Sequence, residues 1–285
     1  MSRIAYVNGR YRPHCDASVH VEDRGFQFAD GVYEVCEVRD GRLVDERRHM
    51  ARLQRSLGEV RLTPPMTLAA LSVVLHETVR RNRVRNGIVY LQVTRGQARR
   101  DFSFPPPGTA PSVVVTARAH DPARLETAAA AGIAVVTVPD RRWARPDIKS
   151  VALLPNVLAK QAARDAGARE AWLVDASGFV TEGASSNAWI VTGGGEVVTR
   201  QADAAILSGI SRAVVMEALA ARGLALLERP FTVAEARGAR EAFLTAASQI
   251  VQPVVSIDGS PVGDGRPGEL TLSLRRGFHR HAEFT

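Results

Sequence analysis

Apolar positions recur along this chain with two periods, and the places where the period changes mark its elements. Residues 4–7 and 10–11 flank Asn8-Gly9. Asn and Gly tolerate the positive φ of a tight two-residue turn, so this segment predicts a β-hairpin. Residues 32–38 predict an apolar strand, which Asp40-Gly41 turns back into Leu43-Val44. The spacing then changes. Met50, Leu53, Leu57 and Val60 fall on one face of a helix, and Leu68, Leu71, Leu75 and Val79 on one face of another, with Thr67 placed to cap it. Residues 88–94 and 113–117 predict β-branched strands on either side of Pro105-Pro106-Pro107-Gly108, and a polar connector follows over about residues 118–126. Beyond it the alternation is more regular. Strands are predicted at 133–138, 171–174, 188–191 and 242–245, and helices at 156–166 and 210–222, ended by Gly167 and Gly223. Residues 254–257 and Asp258-Gly259 close a late hairpin. The pattern predicts mixed α and β structure in two domains, divided near residue 120.

Composition narrows the class. With 45% apolar and 24% charged residues over 285 positions, the chain reads as globular. Its longest nearly uncharged stretch, residues 127–138, is shorter than the ~20 residues a bilayer span requires. Met1 to Asn8 lacks the apolar core of a secretory signal. Cys15 and Cys36 are the only cysteines, too few for a disulfide framework or a Cys-rich zinc site, so a reduced, cytoplasmic setting without a metal is expected.

The net charge of +7 raises the question of nucleic acid. The densest basic run, Arg80-Arg81-Asn82-Arg83-Val84-Arg85, follows a helical pattern, where cations complement the carbonyl end of the dipole. No aromatics are interleaved for base stacking, so a solvated helix end is expected rather than a binding groove.

Of the 37 basic residues only Lys149 and Lys160 are lysine, which leaves two candidates for any Schiff-base chemistry. Lys149 follows Arg145-Pro146-Asp147-Ile148. Ile148 and Val151-Ala152-Leu153-Leu154 could desolvate its amine, and a lysine must be neutral to act as a nucleophile. Read alone, it is an ordinary surface lysine in a loop; Lys160 reads as a solvated helix side chain. Leu207-Ser208-Gly209-Ile210-Ser211 opens a helix, a place where free amides and the dipole favour phosphate, although Ser and Gly also serve there as simple caps. Thr245-Ala246-Ala247-Ser248 has a similar flavour. Thr181 to Asn187 reads as a turn carrying Glu182, either a surface carboxylate or a partner for a pyridine nitrogen.

Together these segments resemble the pyridoxal-phosphate enzymes of fold type IV, the class IV aminotransferases, and within them the D-amino-acid transaminase group. The resemblance runs in order over nearly the whole chain. It includes Glu22-Asp23-Arg24-Gly25-Phe26-Gln27-Phe28-Ala29-Asp30-Gly31-Val32-Tyr33-Glu34, His49-Met50-Ala51-Arg52-Leu53, Gln92-Val93-Thr94-Arg95-Gly96, Asp147-Ile148-Lys149-Ser150, Val157-Leu158-Ala159-Lys160-Gln161, and the segments around Glu182 and Gly209.

It implies a small amino-terminal α/β domain over residues 1–120 and a larger carboxy-terminal cofactor-binding pseudo-barrel domain over 121–285. By the resemblance Lys149 forms the Schiff base with pyridoxal 5'-phosphate and moves the proton, and Glu182 partners the ring nitrogen. Arg52, the Ile210 and Ser211 amides and Ala247 hold the phosphate, and Leu207 lies against the ring. Tyr33 and Arg100 bind the substrate carboxylate, Arg100 from the neighbouring subunit, which implies a homodimer with shared sites. Outside that frame Arg52 reads as a helix-surface charge and Tyr33 as a strand core aromatic.

Two departures stand out. Phe102 takes the place of a histidine, and Ala246-Ala247 replaces hydroxyl residues near the phosphate. Asp101 could also compete for Arg100. The expected reaction is amino transfer between a D-amino acid, of the D-alanine or D-glutamate type, and a 2-oxo acid. The same fold also carries (R)-amine transaminases, branched-chain L-amino-acid transaminases and aminodeoxychorismate lyases. Tyr33-Glu34-Val35 differs from the Phe-Glu-Gly usual in the branched-chain group.

Overall fold

The computed structural model describes residues 3–285, and the chain divides into two units. Met1 and Ser2, the first residues of the segment read above for a signal, lie outside the described residues. One unit runs up to Asp121 and takes back Ile148–Ala152 and Glu283–Thr285. In it β1 (Ile4–Val7), β2 (Arg10–Pro13), β3 (Gly31–Arg39), β4 (Arg42–Leu43), β5 (Gly87–Thr94) and β6 (Ser112–Ala119) form a sheet in the order β2-β1-β6-β5-β3-β4. Its helices are α1 (Arg24–Phe28), α2 (Glu46–Glu59) and α3 (Leu68–Arg81).

The period of two along β3 decides where each side chain goes. Val32, Cys36 and Val38 are buried in a core with Leu53 and Leu57 of α2 and Leu71 and Leu75 of α3. Glu34 shares their parity and so enters the helix-covered side, while Tyr33 and Val35 point to the other face and stay half-buried. Thr67 caps α3 by accepting from the Ala70 N–H, as its position suggested.

The other unit comprises Pro122–Asp147 and Leu153–Ala282. Its strands are β7 (Ile133–Pro139), β8 (Glu170–Val174), β9 (Phe179–Gly183), β10 (Asn187–Val191), β11 (Val197–Thr199), β12 (Leu226–Glu228), β13 (Phe231–Thr232), β14 (Glu241–Ala246), β15 (Ile250–Ile257) and β16 (Ser260–Pro261). They form one mixed sheet in the order β12-β11-β10-β14-β15-β7-β8-β9-β13, with β16 on β15. Its helices are α4 (Pro122–Ala131), α5 (Leu154–Asp165), α6 (Ile210–Ala220), α7 (Val233–Arg237) and α8 (Glu269–Gly277).

Strands β10 and β14 are buried on both faces, so alternate residues feed different cores. Ala188, Ile190, Ala242 and Leu244 join one core. Trp189, Val191 and Phe243 join the other with Val214, Val215 and Leu219 of α6, and the Trp189 and Phe243 rings stack 5.3 Å apart.

Four expectations change. The connector shrinks, because β6 continues to Ala119 and Pro122 opens α4; proline suits a first helical turn, where its missing N–H costs nothing. Glu182 lies on strand β9, and the turn begins only after Gly183. Ala247 starts no helix: it sits in the turn between β14 and β15, where the Gln249 N–H donates to the Ala246 carbonyl at 3.1 Å. Lys160 is not simply solvated, since its Nζ lies 3.1 Å from both the buried Glu170 carboxylate and the Arg169 carbonyl.

Candidate active site

The residues singled out from the sequence fall on both units. In the first unit, residues 149–151 run antiparallel beside the start of β3. The Tyr33 N–H donates to the Lys149 carbonyl and the Val151 N–H to that of Gly31, each at 3.0 Å, and Ser150 bridges to Val32. That register sets Lys149 beside Tyr33 on the half-buried face, with Nζ 4.3 Å from the centre of the phenol ring. Tyr33 in turn packs on Tyr90, their ring centres 5.6 Å apart. Burial pushes the Tyr90 hydroxyl up to about 12, and it donates to Gln92 Oε1 at 2.6 Å. Of the apolar residues expected to surround Lys149, Ile148 is buried, whereas Leu154 is exposed.

Arg52 is no surface charge. Its side chain is 9% exposed, and Nε and Nη2 grip the two oxygens of the buried Glu34, each at 2.8 Å. A planar guanidinium matches a carboxylate in this two-point manner. His49, one turn earlier on α2, meets Glu34 through Nδ1 at 2.8 Å. Burial alone would raise the Glu34 carboxyl, but Arg52 outweighs it and holds the group far below the usual range. Burial also pushes the His49 imidazole down, which leaves it neutral.

Arg100 stands on an exposed bend after β5, with its guanidinium carbon 5.1 Å from the Phe28 ring centre and 5.8 Å from that of Phe102, distances that allow cation–π attraction. Asp101 does not compete for it. Its carboxylate accepts from the Ser103 N–H at 2.8 Å, and its carbonyl accepts from Arg24 at 2.6 Å.

In the second unit Glu182 is buried and heavily bonded. Its Oε2 accepts from Asn187 Nδ2 at 2.8 Å, both oxygens accept from the Leu207 N–H at 3.1 and 3.2 Å, and Oε1 pairs with Arg142. Asn187 also donates to the Leu207 carbonyl at 2.9 Å, so Leu207 is fixed to Glu182 through its own backbone. Gly209 follows as the N-cap of α6. A Cβ there would lie 2.0 Å from Asn187 Oδ1, so only glycine permits this close approach. No side chain caps α6, and the amides of its first turn, from Ile210 and Ser211, have no partner within the helix.

Sequence reasoning gave no role to Glu34, His49, Asp140, Arg142 and Asn187, whose side chains form the bonded clusters around Arg52 and Glu182. The signal for the first two was the parity of Glu34 with the core positions of β3 and the one-turn spacing of His49 and Arg52. Among the described residues no cluster of His, Cys, Asp and Glu is arranged to hold a metal ion, and no helix is long and apolar enough to cross a membrane.

The chain belongs to the amino-transferase class IV family, which it matches over residues 31–257. It is 38% identical to a D-alanine aminotransferase of Staphylococcus haemolyticus over 278 residues, 98% of this chain and 97% of that one. It is 39% identical to a D-alanine aminotransferase of Bacillus licheniformis over 268 residues, 94% and 93% of the two chains. A branched-chain amino acid aminotransferase of T.th., solved with pyridoxamine 5'-phosphate, superposes with a TM-score of 0.89 at 26% identity, covering 98% of this chain and 94% of that one.

The protein is therefore an aminotransferase that works with pyridoxal 5'-phosphate, on the fold-type IV architecture. Its residues fit that cofactor. The start of α6 can receive a phosphate, and the buried Glu182 can accept from a ring N–H.

Proposed function

We propose that this enzyme transfers an amino group between a D-amino acid, of the D-alanine or D-glutamate type, and a 2-oxo acid, as a cytoplasmic homodimer with shared sites. The observation that carries the reading is Lys149, one of two lysines, held by a strand-like register beside Tyr33 while Lys160 is engaged with Glu170. The names of the relatives at 36–39% identity favour D-amino acids. Two unbridged cysteines suit a reducing compartment.

Bound pyridoxal phosphate supplies an electron-withdrawing ring that stabilises negative charge developing on the donor's Cα. Lys149 Nζ would hold the cofactor covalently, and as a free amine it would take the proton from the donor's Cα and return it. Glu182 would accept from the ring N–H and so keep that proton on the ring. By the resemblance, Arg52 and the amides of Ile210, Ser211 and Ala247 would bind the phosphate; with alanine at 246 and 247, only the backbone would serve in that turn. Leu207 would lie against one face of the ring. Tyr33 and Arg100, the latter lent across the dimer, hold the donor carboxylate.

Phe102 favours a second reading. It is 82% exposed where the resemblance expects a histidine, which weakens carboxylate recognition and suits a donor without a carboxylate, as in an (R)-amine transaminase. Mixing the holoenzyme with D-alanine, L-leucine and (R)-1-phenylethylamine while following its near-visible band separates the cases. Bleaching by D-alanine but not L-leucine is expected. Bleaching by L-leucine alone would overturn the D-amino-acid reading, and rapid bleaching by the amine with a feeble response to D-alanine would replace it with the second.

A further inference from the structure

We propose that Arg142 is a positioning residue whose guanidinium fixes Glu182 as the acceptor for the cofactor's ring N–H. This rests on the role given to Glu182 above. Arg142 lies in the loop just after β7, outside every motif that carries the resemblance. Its own orientation is set by Asp140. One Asp140 oxygen accepts from the Arg142 backbone N–H at 3.1 Å and from Nε at 3.0 Å, and the other accepts from Nη2 at 2.7 Å. Held in this way, the guanidinium turns Nη1 onto Glu182 Oε1. Nη2 also reaches the Ala205 carbonyl at 3.2 Å, two residues before the Leu207 amide that bonds the same carboxylate. One side chain thus ties together the end of β7, strand β9 and the loop that leads into α6.

The charges explain why a cation is needed there. Thr181, next to Glu182 in the chain, donates through Oγ1 to Asp140 Oδ2 at 2.8 Å, which brings the two carboxylates into one cluster. The side chains of Asp140, Arg142 and Glu182 are 13%, 7% and 6% exposed, so water screens them little. Without the guanidinium, two carboxylates would share a poorly solvated space and one would take up a proton. A protonated Glu182 would keep one accepting oxygen but lose the negative charge that makes its bond to a protonated ring strong. With the guanidinium present the trio carries a net charge of −1, the complement of a protonated ring. Burial pushes the Asp140 carboxyl up, but the Arg142 guanidinium outweighs it and holds the group below the usual range.

The test is the affinity of the apoprotein for pyridoxal 5'-phosphate, with urea unfolding of each apoprotein measured alongside. Arg142→Gln should weaken binding about tenfold, the loss of one charge-assisted hydrogen bond. In a Glu182→Gln background the same change should cost less than about twofold, because no carboxylate remains to be held. Arg142→Lys should recover part of the affinity. Asp140→Asn, which loosens the arginine but leaves it in place, should cost about threefold and serves if Arg142→Gln does not fold. A tenfold loss that recurs in the Glu182→Gln background, or no loss in Arg142→Gln while Glu182→Gln binds poorly, would overturn the role of Arg142 and leave that of Glu182 standing. Unchanged affinity in Glu182→Gln would overturn both.

Discussion

In the amino-terminal unit a buried carboxylate holds an arginine, whereas in the other unit a buried arginine holds a carboxylate. Glu34 grips Arg52 between two regular elements, β3 and α2, so its geometry is set by the period of a strand and the turn of a helix. Arg142 grips Glu182 from a loop, and its geometry depends on the local turn at Asp140. The first cluster balances its charges, +1 against −1. The second carries one negative charge more than positive. The difference shows what each can be used for: the first can offer a fixed cation to an anionic group, and the second a fixed anion to a cationic one.

The largest expected effect breaks the first cluster. Glu34→Leu leaves the Arg52 charge buried without its carboxylate, which should cost about 3 to 5 kcal/mol in urea unfolding; a loss below about 1 kcal/mol would mean the ion pair is not buried as described. Next comes the second unit. Gly209→Ala drives a methyl into Asn187 Oδ1 and should cost about 1 to 3 kcal/mol, together with cofactor affinity, because Asn187 also orients Glu182. Loss of stability with unchanged affinity would separate Asn187 from Glu182.

The third effect sharpens the comparison through pH. Burial depresses His49 in the folded state, so it is neutral there while the unfolded chain gains a proton as pH drops through about 6.5. Its contribution to stability is therefore lost as pH falls from about 6.5 toward the folded value. His49→Gln should remove that slope, a difference of about 1 kcal/mol at pH 5.5. Parallel stability curves for the two proteins would show that His49 does not titrate between folded and unfolded states. Glu34 works at lower pH: its stabilisation is complete above about 4.3 and fades only as pH falls toward its depressed folded value. The smallest effect lies outside both clusters. Phe102→His should lower the KM for D-alanine about threefold, one exposed hydrogen bond, with no change in unfolding. An unchanged KM would mean the carboxylate does not come near that residue.

The sequence carried the regular elements well where an apolar run or a helical period is long enough to stand out. The first hairpin, both long helices of the amino-terminal unit and strands β5, β7, β8, β10 and β14 stand within a few residues of their expected places. It failed where the apolar pattern is misleading or too short. In α8 the alternation of Leu270, Leu272 and Leu274 imitates a strand, and its buried Arg275 is paired with Glu126, far away in the chain. The short strands β11, β12 and β13 carry too few residues for any period to show.

For the candidate site, motif resemblance found Arg52 and Glu182 but not the partners that fix them. Glu34 and Arg142 act through other side chains, and nothing in local spacing marks a residue whose role is to hold a distant one. Arg142 in particular follows Arg141, and only the fold distinguishes the two.

Borohydride reduction of the holoenzyme, followed by peptide mass spectrometry, tests the central claim most directly. The account predicts a reduced pyridoxyl group on the ε-amine of Lys149 and none on Lys160. A modified Lys160, or no lysine modified at all, would contradict it.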